Sequence, residues 1–183
     1  MTGLFTNLIH FISVSLSDWG SIHPLVVHFP IVLLFFSPLF VLIGMLLRKS
    51  TRIFYVCASL LMILGTAGIF LAASTGNTAA EPLQINPETV ATLSEHIELA
   101  EHARVVFSLL TFIFALNTLF FPSLSKSCHR SAYLSGMSVF LIFYLYALLV
   151  LFNAAHYGGK LVHHHKITSN FFNHQPKDSP PKN

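Results

Sequence analysis

Four apolar runs, each long enough to cross a hydrocarbon layer, decide what this chain can become. They cover residues 24–47, 53–73, a third run that ends at residue 121, and 132–155. A helix needs about 20 apolar residues to span a bilayer core, and in that core only a helix or a closed barrel satisfies every backbone group internally. The runs are continuous rather than alternating, so they read as helices. Composition agrees, because 54% of the 183 residues are hydrophobic and only 9% are charged, against about a quarter charged in soluble domains. The sequence predicts an all-α fold, an integral membrane four-helix bundle with an N-terminal interfacial helix.

Three segments follow from this. Residues 1–21 place Leu4, Phe5, Leu8, Ile9, Ile12 and Leu16 on one helical face against Thr6, Asn7, His10, Ser13 and Ser17, the pattern of an amphipathic helix lying in the interface. This stretch carries no Lys or Arg up to Ser17, so it lacks the positive start of a secretory signal and is expected to stay on the mature protein. Residues 22–166 form the four-span bundle, and 167–183 a flexible polar tail. Pro30 and Pro38 predict a kink in the first span, which neighbouring helices must repair. Asn86, Pro87 and Glu88 mark the start of the third helix. From there to residue 121 it would measure ~50 Å, so its first turns stand outside the hydrocarbon. Gly158 and Gly159, after His156, predict where the fourth span ends and the chain turns back.

Charge gives the orientation. Arg48, Lys49 and Arg52 join the first two spans, and Lys126 and Arg130 the last two, which makes both connections cytoplasmic by the positive-inside rule. All seven acids (Asp18, Glu81, Glu88, Glu95, Glu98, Glu101 and Asp178) fall on the opposite side. The expected location is a bacterial inner membrane with both termini periplasmic, against which only the lysines from Lys160 onward argue. Basic residues number 10, with no run longer than two, so the net charge of +3 does not point to nucleic acid. Two cysteines without a CxxC pattern exclude a disulfide framework, a thiol redox pair and a covalently attached haem.

Eleven histidines in so apolar a chain are the main chemical signal. An even number of spans returns the chain to one side, which gathers His23 and His28, His96 and His102, and His156, His163, His164 and His165 at the acid-rich face, with His129 opposite. An ionisable residue at membrane depth is a functional hypothesis by default. His28 sits among Val26, Val27, Phe29 and Ile31, and His102 ahead of Val105, Val106, Leu109 and Leu110. Two such imidazoles on facing helices suit the axial positions of a b-type haem. His23 precedes Pro24 and also reads as a helix-start residue. His96 lies ~600° of helical rotation before His102, so the two point to different sides, and His96 is expected to be solvated. Glu95, Glu98 and Glu101 read as dipole-stabilising acids of a helix start, with Glu98 one turn from His102.

The segment His23-Pro24-Leu25-Val26-Val27-His28-Phe29-Pro30, the Thr75-Gly76 closing the second span, the His102-Ala103 of the third, and Gly158-Gly159-Lys160-Leu161-Val162 with His165 resemble the bacterial family of four-span membrane proteins called domain of unknown function 2231. The resemblance covers residues 22–166 and carries no established activity. It implies histidines in matching positions at His23, His28, His102 and His165, while His156, His163 and His164 depart from the pattern. Its members' association with cytochrome c modules implies respiratory electron transfer.

The expectation is an electron carrier or accessory subunit rather than a catalyst. A haem is held by His28 and His102, and His23 and His165 form a second pair or hydrogen-bond around it. A zinc or copper site and a cofactor-free accessory subunit of a respiratory complex are the alternatives. Partners beyond the lipid bilayer would be a periplasmic cytochrome c, a quinone or a respiratory complex. The orientation has a direct check. A Thr78→Cys variant should react with an impermeant thiol reagent in intact cells while native Cys128 should not, and the reverse pattern would invert the topology.

Overall fold

Residues 19–47, 49–80, 87–127 and 129–163 are described in a computed structural model, with only the backbone described for 121–127. The interfacial helix expected before residue 19, the tail after residue 166, Cys128 and His165 lie outside them. A short helix α1 (His23–Val26) leads into α2 (His28–Leu46). The others are α3 (Thr51–Ala80), α4 (Pro87–Ser127) and α5 (Arg130–His163). No strand occurs among the described residues. Four stretches are long and apolar enough to cross a membrane: His23–Leu46, Thr51–Ala80, Pro87–Phe120 and Arg130–His163. The expected all-α four-span bundle is what forms.

Helices run further than the apolar stretches that announced them. The second span was read to residue 73, yet α3 continues to Ala80. The fourth was expected to end at Gly158, but α5 passes through both glycines to His163. In each case a helical turn beyond the hydrocarbon keeps its backbone bonds whether its side chains are apolar or not. Gly158 has a packing use, taken up below.

Facing surfaces follow a 3-and-4 spacing. In α2 the buried positions are Pro30, Leu34, Ser37, Val41 and Gly44. In α4 they are Thr89, Leu93, Ala103, Phe107, Leu110 and Phe114. In α5 the stripe runs through Met137, Tyr144, Ala147, Leu148, Leu151, Ala154 and Leu161. Such a seam lets side chains of neighbouring helices interlock. Large residues off the seam, such as Phe35, Phe112 and Ile142, are exposed, as a lipid-facing surface requires. The most extensive packing is within the α2–α3 and α4–α5 hairpins, with α3 on α4 joining the two.

Lipid is as apolar as the seam, so small residues and polar bonds hold the helices together. At Gly44 and Gly65 an added Cβ would lie 2.6 Å from Tyr55 and 2.7 Å from Leu34. The α2–α3 hairpin closes this tightly only because those side chains are missing. Hydroxyl pairs join α3 to α4: Thr66 with Thr111 at 2.7 Å and Ser59 with Thr118 at 2.8 Å. The Thr118 hydroxyl donates to the Phe114 carbonyl, so Ser59 donates to Thr118.

Both prolines leave a mark. Pro30 withholds the N–H that would have met the Val26 carbonyl, and the helix is interrupted at Val27 between α1 and α2. Pro38 likewise leaves the Leu34 carbonyl without its helical donor. That carbonyl receives the phenol of Tyr144 from α5 at 2.9 Å, which is the repair by a neighbouring helix that the sequence required. Tyr144→Phe should therefore lower unfolding stability in detergent by ~1–3 kcal/mol, the cost of a buried carbonyl left unpaired. An unchanged denaturation midpoint would show that the bond contributes nothing.

Candidate functional site

The seams continue past the apolar core, and at the acid-rich end they carry histidine. On α4 the series Leu93, His96, Ala103, Phe107, Leu110 keeps the 3-and-4 spacing, so His96 lies on the inward stripe. On the first span His23 is seven residues before Pro30, which puts it on the stripe of Pro30, Leu34 and Val41. The two rings meet with centroids 6.3 Å apart and planes at 78°. Both side chains are half-buried.

Each ring is held through Nδ1. His23 Nδ1 lies 3.0 Å from Thr75 Oγ1, and Thr75 is fully buried. The Thr75 hydroxyl is within donating distance of the Leu71 and Ala72 carbonyls, at 3.3 and 3.0 Å. With its proton committed there, Thr75 accepts from His23, whose Nδ1 carries the hydrogen. His96 Nδ1 lies 2.8 Å from the Ala154 carbonyl, an acceptor only, so it too carries hydrogen. In the neutral rings each Nε2 then bears the lone pair, the arrangement that orients a metal-binding imidazole.

Two glycines make room. A Cβ at Gly76 would lie 3.0 Å from His23 Cε1, and one at Gly158 would lie 3.2 Å from His96 Cε1. Gly158 is thus not a helix stop but a notch in α5 that admits an imidazole from α4. All four spans contribute, since His23 rests on α3 and His96 on α5. The chain ahead of α1 is fastened as well. Trp19 Nε1 donates to Ser74 Oγ at 3.2 Å, and a Cβ at Gly20 would lie 2.8 Å from the Ala79 backbone nitrogen, so this strap lies directly on the end of α3.

His28 and His102 are placed differently from their expected roles. His28 is exposed, and its Nδ1 meets the Pro24 carbonyl of its own span. His102 is exposed on α4, with its Nε2 3.3 Å from the Tyr146 phenol and its ring edge-on to that tyrosine. No hydrogen bond or ring contact joins the two. The reason is register, because His28 lies one position after half-buried Val27 and two before buried Pro30, and His102 lies one position before buried Ala103. Conversely His96, expected to be solvated, faces inward. His156 is exposed against Tyr157, His163 is exposed at the end of α5, and His129 is exposed at the other end. Among the described residues no three His, Cys, Asp or Glu side chains converge as a metal-holding group.

Arg104 was not singled out in the sequence, although it is the one basic residue in the interior of the third span. Its guanidinium pairs with Glu101 and sits 5.7 Å from the centre of the Phe70 ring. A neutralised cation lying on an aromatic face needs no further function at this depth.

Four apolar spans with a paired-histidine end define a polytopic α-helical membrane protein. The chain belongs to the family described as "Predicted membrane protein (DUF2231)", whose model matches residues 20–170. No curated protein and no solved structure gives a match.

The notch can be tested without any ligand. Gly76→Ala should gain helix propensity but crowd a ring already tied to Thr75, for a net loss of about 1 kcal/mol in unfolding stability. Gly159→Ala, where a Cβ meets nothing within 4 Å among the described residues, should instead gain ~0.5–1 kcal/mol. Equal effects at the two positions would mean that the imidazole does not depend on the notch.

Proposed function

We propose that this protein is a membrane-integral electron carrier of the b-type cytochrome kind, in which His23 and His96 would hold a haem near the acid-rich face. The observation that carries the proposal is the pair itself: two imidazoles from different spans, each fixed through Nδ1 and neither making an Nε2 hydrogen bond among the described residues. The ring centres are 6.3 Å apart, a separation of the order at which two imidazoles could hold one metal ion.

Donor number favours haem iron over zinc. A structural zinc takes four protein ligands and a catalytic one three, whereas haem asks two of the protein. Within this reading the residues of the chain have distinct tasks. Thr75 and the Ala154 carbonyl hold the two tautomers, Gly76 and Gly158 let the rings sit close to the helix backbones, and the seam below them excludes water. Bound haem would supply one-electron chemistry, and its place at one end would suit exchange with a periplasmic cytochrome c, a quinone or a respiratory complex. In this reading the membrane is a bacterial inner membrane and both termini face the periplasm. Copper held by the same two imidazoles is the second reading, favoured by the same two-donor geometry.

Purified protein supplied with haem should give a reducible low-spin spectrum and a positive pyridine haemochrome. His23→Ala and His96→Ala should each abolish the low-spin form, since each removes one of the two imidazoles that would hold the group. His28→Ala and His102→Ala should leave it intact. Loss on changing His28 and His102 but not the other two would restore the pair first read from the sequence. Colourless wild-type protein carrying stoichiometric copper would favour the second reading, and protein that never takes up haem ends the cytochrome proposal.

A further inference from the structure

A groove of about 320 Å³ opens on the flank of the α4–α5 hairpin, at the end opposite the histidine pair. Ile113, Met137 and Phe140 form its apolar part, while Asn117 and Tyr133 form its polar part, meeting at 3.2 Å. The space over Gly136 is open, since a Cβ there would meet nothing within 4 Å among the described residues. This volume lies at the lower end of the range for small-ligand sites.

Three features specify an occupant. The first is order. Along α5 come Arg130, then Tyr133, then Gly136 and Met137, then Phe140, so the wall passes from cation to hydrogen-bonding group to hydrocarbon. A phospholipid presents the matching sequence of phosphate, ester and acyl chain. The second is length. Ten residues from Arg130 to Phe140 rise ~15 Å, half of a hydrocarbon core ~30 Å thick, or the depth of one leaflet. The third is charge. Among the described residues the acids are Glu88, Glu95, Glu98 and Glu101, all at the opposite end from Arg130, whose own end also carries Lys49 and Arg52. An exposed arginine beside a lipid-facing groove attracts an anionic headgroup.

We infer that this groove holds one anionic phospholipid of the adjoining leaflet, its phosphate on Arg130, its ester region at Asn117 and Tyr133, and one acyl chain along Ile113, Met137 and Phe140. The site is separate from the histidine pair and stands whether or not that pair binds a metal. An isoprenoid quinone also has a polar head and an apolar tail, but it is neutral and makes no use of Arg130.

The test is native mass spectrometry of the full-length, delipidated protein titrated with dioleoylphosphatidylglycerol, dioleoylphosphatidylcholine or a short-tailed ubiquinone analogue. Wild type should retain one phosphatidylglycerol about fivefold more tightly than phosphatidylcholine, the contribution of one interfacial arginine. Arg130→Gln should equalise the two lipids. Gly136→Leu should remove the single-lipid adduct while keeping the wild-type melting temperature, and Ile142→Ala, on the exposed side of the same helix, should leave it unchanged. Equal retention of both lipids by wild type, or an adduct that survives Gly136→Leu, would overturn the inference. Stoichiometric displacement of phosphatidylglycerol by the quinone analogue would also overturn it and assign the groove to a quinone.

Discussion

Helices surrounded by lipid gain nothing from hiding apolar side chains, so everything in this bundle depends on how closely the backbones can approach one another. Gly44 and Gly65 set that distance in the first hairpin, where Tyr55 and Leu34 occupy the space a methyl group would have taken. Hydroxyl pairs between α3 and α4 then fix the register between hairpins, because Ser59 and Thr66 each find one partner only at one sliding position. The same close approach, about three helical turns further along α3, brings His23 onto Gly76, and a like approach in the second hairpin brings His96 onto Gly158.

Pro38 and the histidine pair obey one rule, that a polar group in this environment must end on a partner. Tyr144 meets the Leu34 carbonyl freed by Pro38. Ala154 offers its carbonyl to His96, and Thr75 passes its own proton to backbone so that it can receive that of His23. The Tyr144 bond beside Pro38 and the tautomer at His96 are therefore products of the same accounting of donors and acceptors.

Much of the architecture was legible from the chain alone. Apolar run length announced four spans, Pro87 and Glu88 fall in the first turn of α4 as expected while the Asn86 cap lies outside the described residues, and Pro38 signalled a freed carbonyl that needs outside help. Face assignment was harder. His28 attracted attention because its sequence neighbours are apolar, yet in a membrane helix apolar neighbours surround every position and say nothing about which side is inward. The informative pattern was fainter. Thr89, Leu93, His96, Ala103 and Phe107 fall on a single 3-and-4 stripe, and His23 falls on the stripe of Pro30 and Leu34. Gly158 misled for a related reason, since a glycine after an apolar run has the same local signature whether it ends a helix or makes room for a neighbour's side chain. Only the partner ring separates the two, and that ring is 62 positions away in sequence. The rotation between His96 and His102 was read correctly, but the inward face was assigned to the wrong one.

The overhang of the helices has a further consequence. A helix of 30 residues such as α3 rises ~45 Å, while the hydrocarbon it crosses is ~30 Å thick and varies by several ångströms between membranes. The histidine pair sits near the end of α3, beside Thr75 and Gly76. Bilayer thickness therefore bears on the pair directly: a thicker membrane would draw the two rings toward the oily phase, and a thinner one would hydrate them. Lipid composition becomes a setting for the chemistry at that end of the bundle, without any lipid touching a histidine.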